Sequence, residues 1–298
     1  MLDWVTLTPH TITDYGGGSS LPEMYTQVWS KALPYTAAVL LLWALVYVGL
    51  GLAGFGATIG EARRGTWALK ISMLAHHGLI APLAVYGLLE DPAVRQMYGC
   101  FGCTEAGLRM NRDAIVPLAA QALTPVTLGY FFADLLLLSQ WNLTKSGAVE
   151  NGLMLFHHLA SLLVWPAAVY FDWVARYVLI MLSYEFTGVW LTLLWLLSTA
   201  NMKKSMLYKV VGLLFTASFV VMRMVGAIPQ LIAMWNAPPW SVDLEHKVQP
   251  GGIHPLCWIF SLSLVFPHIL NLFWGVKVVS GFMAVMMPKK KKDKASKD

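Results

Sequence analysis

The sequence predicts an all-α, polytopic membrane protein of about seven transmembrane helices, on three observations. The 298 residues are 57% hydrophobic and only 12% charged, about half the charged share of an average soluble protein. Apolar runs of roughly 20 residues, the length that carries a helix across a bilayer, recur along the chain. These runs are continuous, whereas a membrane barrel would alternate apolar and polar residues in strands of about ten. No Gly-rich phosphate loop, internal repeat or soluble domain interrupts them. The longest connecting stretch, between the second and third spans, is too short to fold alone, so function belongs in, or at the rim of, one helical bundle.

The spans follow in order. Residues 1–33 read as a polar N-terminal segment outside the bilayer, since "MLDWVTLTPHTITDYGGGSS" lacks the basic, apolar, then small-residue order of a cleaved signal peptide. The first span is Pro34–Gly54, within an extra helix over 34–60. Trp67–Leu89 is the second and carries His76 and His77. Ile115–Trp141 and Gly152–Phe171 are the third and fourth; they hold Pro117, Pro125 and Pro166, which membrane helices tolerate when neighbours satisfy the freed carbonyls. Arg176–Ser198, Val210–Met234 and Pro255–Val279 complete the set.

Basic residues collect in alternate loops: Arg63 and Arg64, then Lys145, then Lys203, Lys204 and Lys209, then the tail at 288–298. That side is cytosol-like. The opposite loops hold Arg95, Arg109, Arg112 and Lys247, mixed with acidic residues and without a dense cluster. Seven spans then place the N-terminus outside and the C-terminus inside. The net charge of +5 is mostly a property of that tail, with its six Lys against two Asp. The tail suits anionic headgroups or a solubilising, topology-fixing role, and no nucleic-acid partner is expected. "CFGC" puts Cys100 and Cys103 in one loop, open to a disulfide or to two thiols, with no second Cys or His pair for a metal. The sequon at Asn142 lies on the cytosol-like side, where it is expected to be unused.

The ionisable residues inside the spans are His76, His77, Asp134, His157, His158, Glu185, Arg223 and His268. Charge at bilayer depth is costly, so each marks a candidate site. At about 1.5 Å of rise per residue, Asp134 and the histidine pair reach one level on consecutive antiparallel spans. Glu185, Arg223 and His268 fall near the midplane, and Glu185 with Arg223 reads as an interhelical ion pair. Successive helical residues point about 100° apart, so one of His157 and His158 is expected to face a cavity and the other to pack against a neighbour. A retinal protein is excluded because Lys277 lies at the end of its span with Phe273, not a carboxylate, one turn before it. A transporter's paired broken spans are not visible.

The ordered pieces "GYFFADLLLL", "LFHHLASLLVW", "YEFTGVWLTLLWLL", "VVMRMVGAIP" and "LNLFWGVKVVSG" resemble the TRAM–LAG1–CLN8 (TLC) domain family over roughly Trp67 to Gly281. The resemblance implies a TLC domain at 61–287, in which six helices surround a cavity for a lipid chain. The ceramide synthase branch adds a histidine–aspartate pair after the paired histidines; here Ser183, Tyr184 and Glu185 stand in its place. Glu185 and Thr187 resemble instead the branch of TLC-domain-containing proteins, with Gly188 and Leu191 where that branch has proline and asparagine.

Three functions are consistent with these residues. The leading one is lipid binding or handling, with His157, His158, Tyr184, Glu185, Arg223, His268 and Asn271 around a phospholipid or sphingolipid. A second is N-acylation in the manner of ceramide synthases, with acyl-CoA as co-substrate and His157 or His158 oriented by Asp134 as the base. A third is a lipid-filled accessory subunit bound to other membrane proteins. None calls for a bound cofactor or metal. The family default is the endoplasmic reticulum or another endomembrane, although Ala295 and Ser296 stand where a dilysine signal needs lysine.

Overall fold

The computed structural model describes residues 21–99, 118, 122–138, 148–168, 172–236 and 255–286. Cys100, Cys103, Asn142 and the lysine tail lie outside them. Among the described residues the elements are all helical: α1 (Leu21–Leu52), α2 (Phe55–Ile59), α3 (Glu61–Glu90), α4 (Pro92–Gly99), α5 (Thr124–Leu138), α6 (Ala148–Ala168), α7 (Asp172–Ser183), α8 (Glu185–Thr199), α9 (Met206–Ser218), a π-helical segment (Phe219–Val225), α10 (Ala227–Asn236) and α11 (Pro255–Met286). Each of the seven apolar runs contains helix. Five helical stretches are long and apolar enough to cross a membrane: Tyr25–Leu52, Arg63–Glu90, Arg176–Thr199, Met206–Trp235 and Leu262–Ala284. Thr124–Leu137 and Gly152–Pro166 are shorter apolar helices.

The helix of the first run starts at Leu21, upstream of Pro34, which it accommodates internally. It packs on α3 and α5, and its contact with α5 depends on Gly129. A Cβ there would lie 2.4 Å from the Ala32 carbonyl oxygen and 2.8 Å from Tyr35 Cβ. With no side chain in the way the backbones close up, as small residues allow between membrane helices, and Thr36 Oγ1 donates to Gly129 O at 3.0 Å. The core lies between α3, α5 and α7, where Ile80, Leu128, Tyr130, Leu179, Ile180 and Leu182 are fully buried. Outward-facing Leu41, Leu45, Leu163, Leu213, Leu262 and Ile269 are exposed, which suits a hydrocarbon surround rather than water.

Polar residues terminate and tie the helices. Asp91, wholly buried after α3, accepts a hydrogen bond from Arg176 Nε at 2.8 Å and so fixes the start of α7. Asn201 turns the chain between α8 and α9 with φ 61, a left-handed conformation that Asn tolerates. Ser205 then caps α9, its side chain accepting from the Tyr208 amide at 3.1 Å.

Two of the crossings are interrupted midway. Between α7 and α8 the chain turns at Tyr184, whose amide donates to Met181 O at 3.1 Å instead of continuing the α-helical register. After α9 the π-helical segment widens the helix, closing with Gly226 N to Val221 O at 2.8 Å. A Cβ on Gly226 would sit 2.8 Å from Met222 O, so this wide turn suits glycine. Isolated π turns of this kind frequently mark functional sites.

Candidate functional site

The two interruptions meet. Arg223, in the π segment, donates from Nη2 to the Tyr184 carbonyl at 2.8 Å, and from Nη1 to Asn271 Oδ1 of α11 at 3.2 Å. The Tyr184 carbonyl also accepts from Thr187 Oγ1 at 2.8 Å, while the Tyr184 hydroxyl donates to the buried Gln230 amide oxygen at 3.1 Å. The carbonyl at the break, which also accepts from the Thr187 amide at 3.0 Å, thus receives a cation from the next crossing. Glu185 follows immediately, but its partner is not the one expected. The ion pair with Arg223 gives way to His77 of α3, whose Nδ1 lies 2.6 Å from Glu185 Oε2. Gly188, one turn on, makes this approach feasible, because a Cβ there would come within 3.0 Å of three His77 ring atoms.

The histidine pair occupies the facing wall. His158 is buried, stacks on Phe131 with ring centroids 4.6 Å apart, and brings Nδ1 to 3.3 Å from Asp134 Oδ2. This joins the two groups that rise per residue places at one level. The neighbouring His157 ring is 5.7 Å away and tilted by 51°. His76 stacks on Tyr130 at 4.0 Å between centroids.

These groups surround a cavity of about 920 Å³. His77, His157, His158, Tyr184, Glu185, Arg223 and Asn271 line its inner part, among Met181, Trp165, Leu270 and Pro267. Its other end is reached through Leu191, Phe215 and Val278 and is lined by Lys70, Trp195, Tyr208, Lys209, Lys277 and Phe282. From Pro267 to Phe282 along α11 it extends about 22 Å at 1.5 Å per residue. Both histidines of the pair line it, whereas the expectation was that only one would. His157 also lines an outer groove of about 380 Å³ between α6 and α11, and shares both surfaces with Trp165 and Pro267. His268 is not among the cavity's lining residues; it is buried behind the Tyr184 ring, 6.2 Å between centroids.

Two residues that line the cavity carry buried donors without a protein acceptor: Arg223 Nε and Asn271 Nδ2 make no hydrogen bond among the described residues. Left unmet, such a group costs about 1–3 kcal/mol. His77 and the lysines are the residues that sequence reasoning left out of the site. His77 was visible as a buried ionisable group, and only the packing of α3 on α8 shows what it meets. Among the described residues no group of three or more His, Cys, Asp or Glu is arranged to hold a metal.

A model of the TLC domain family matches residues 66–280. No curated protein matches the chain. With more than half of its length covered, the chain belongs to the TLC domain family.

Proposed function

We propose that this TLC-domain membrane protein binds and handles a membrane lipid, its bundle cavity taking an acyl chain and the inner polar cluster meeting the group that links the chain to its head. The observation that carries this reading is the pair of buried donors, Arg223 Nε and Asn271 Nδ2, on two residues that line a long cavity. Glu185 offsets the Arg223 charge, so the cluster suits a neutral acceptor such as an ester or amide carbonyl rather than an anion. His157 and His158, on the opposite wall, add polar contacts to that group. We place the chain in an endomembrane, with the C-terminal end of α11 toward the cytosol.

The test is lipid retention. Purified full-length protein in mild detergent should carry lipid that mass spectrometry identifies, and Arg223→Met with Asn271→Leu should lower it at least tenfold while the helical circular-dichroism signal persists. An unchanged lipid complement in the double variant overturns the reading.

Acyl transfer has one observation in its favour: His158, which lines the cavity, approaches the buried Asp134 at 3.3 Å. In that reading the imidazole takes the proton of a sphingoid amine as its nitrogen forms a bond to the thioester carbonyl carbon of acyl-CoA. The carbon–sulfur bond then breaks and the proton passes to the leaving thiolate. Asp134 would orient the imidazole. Purified protein given acyl-CoA and sphinganine should make N-acyl product, with activity lost in His158→Ala. No product from protein whose cavity is lipid-filled excludes this second reading.

A further inference from the structure

We infer that the outer groove between α6 and α11 holds the second hydrocarbon chain of a lipid whose first chain lies in the cavity. This inference rests on the lipid-binding reading and adds that the ligand is a two-chain lipid. The groove, of about 380 Å³, is lined by side chains of these two helices. Phe156, Leu262, Val265 and Ile269 in its lining are exposed, so it opens on the apolar exterior of the bundle. Phe156 and Phe266 bridge the two helices with ring centroids 5.1 Å apart. Three residues, His157, Trp165 and Pro267, line both the groove and the cavity. Each of them borders both spaces, so no second layer of side chains separates groove from cavity there.

Length and surroundings fit a hydrocarbon chain. His157 and Trp165 are separated by about 12 Å along α6, and the two spaces adjoin at both. The chains of one leaflet fill half of a hydrocarbon core of about 30 Å, or about 15 Å. With that partition between them, a single chain of this length occupies one space, whereas a two-chain lipid can lay one chain in each with its linking group beside His157. The His157 side chain is only partly buried, borders both spaces, and belongs to the polar groups assigned above to the linking group. A groove that faces hydrocarbon gains from close packing rather than from escape from water, and the material already beside it in a bilayer is lipid chain.

The experiment measures binding of two probes to the purified full-length protein by native mass spectrometry: 1,2-dioleoylglycerol, and 1-oleoyl-2-acetylglycerol, which keeps both esters and shortens the second chain. Dioleoylglycerol should bind at least fivefold more tightly. Ala160 of α6 and Val265 of α11 line the groove and not the cavity. Ala160→Trp should therefore remove the preference for two long chains while leaving binding of the acetyl compound unchanged, and Val265→Trp, which fills the groove from the facing helix, should do the same. Equal binding of the two glycerides to the wild-type protein overturns the second-chain site while leaving the lipid cavity intact, and needs no variant to fold. An equal loss of both glycerides in the two variants also overturns it, since the groove would then act on the cavity itself. Slower uptake of both at unchanged affinity overturns it too, by making the groove an entrance rather than a seat. Failure of both glycerides to bind removes the lipid-binding reading as well.

Discussion

At the scale of single residues the site depends on which partner each buried charge finds. Glu185 approaches His77 at 2.6 Å, and Arg223 is held by the Tyr184 carbonyl and Asn271. A double-mutant cycle of Glu185→Gln with His77→Asn should therefore show coupling of about 1–3 kcal/mol, since groups in contact are not additive. The cycle of Glu185→Gln with Arg223→Met should show the smaller value, measured by thermal unfolding in detergent; the reverse order would mean that the ion pair read from the sequence is the real one. Gly188→Ala tests the same geometry from the other side. Its Cβ would meet the His77 ring at 3.0 Å, so the ring must move off Glu185 or the bundle must give, at about 1–3 kcal/mol for overpacking. The lack of a side chain at Gly188 gives room to the His77 ring.

At the scale of elements the decisive features are the break at Tyr184 and the π segment. An α-helix turns by about 100° per residue, so deleting exposed Val221 should let the widened turn relax to α-helix and rotate Arg223 by that angle relative to one flanking helix. Bound lipid should fall, while circular dichroism reports nearly unchanged helix; full retention of lipid would show that the π segment does not aim Arg223. The α1–α5 contact makes a separate prediction. Gly129→Leu should lower the melting temperature by the equivalent of about 1–3 kcal/mol or more, because the nearest neighbours of the new side chain are the backbone atoms Ala32 O and Thr36 N. Lipid bound per folded molecule should stay constant, since neither α1 nor Gly129 lines the cavity.

For the molecule as a whole, the five long apolar helices and the two shorter ones predict, if all seven cross, that the two ends of the described helices lie on opposite faces. A tag placed before Leu21 and one placed after Met286 should differ in accessibility in sealed vesicles, with the C-terminal tag on the cytosolic side. Equal accessibility would remove one crossing. The exposed apolar exterior of Leu41, Leu163, Leu213 and Ile269, with a cavity carrying both charge signs inside, is the arrangement expected of a bundle whose outer solvent is hydrocarbon.

What the sequence alone determined is what length and hydropathy control. Runs of about 20 apolar residues without charge have few conformations available in a bilayer besides helix, so the crossings and the all-α class were legible. So was the shared level of Asp134 and His158, because rise per residue is a constant of the helix. The start of α1 at Leu21 was not legible, since polar residues hide the helical continuation past Pro34. Nor were the pairing of Glu185 with His77, the exclusion of His268 from the cavity, or the presence of Lys70, Lys209 and Lys277 in the lining of one cavity. Each of these depends on the rotation of one helix about its axis relative to another, and that angle is set by contacts such as Gly188 against His77 and Gly129 against Ala32. Apolar residues on every side of a membrane helix give no stripe from which to read it, so only the tertiary packing decided which polar groups face one another.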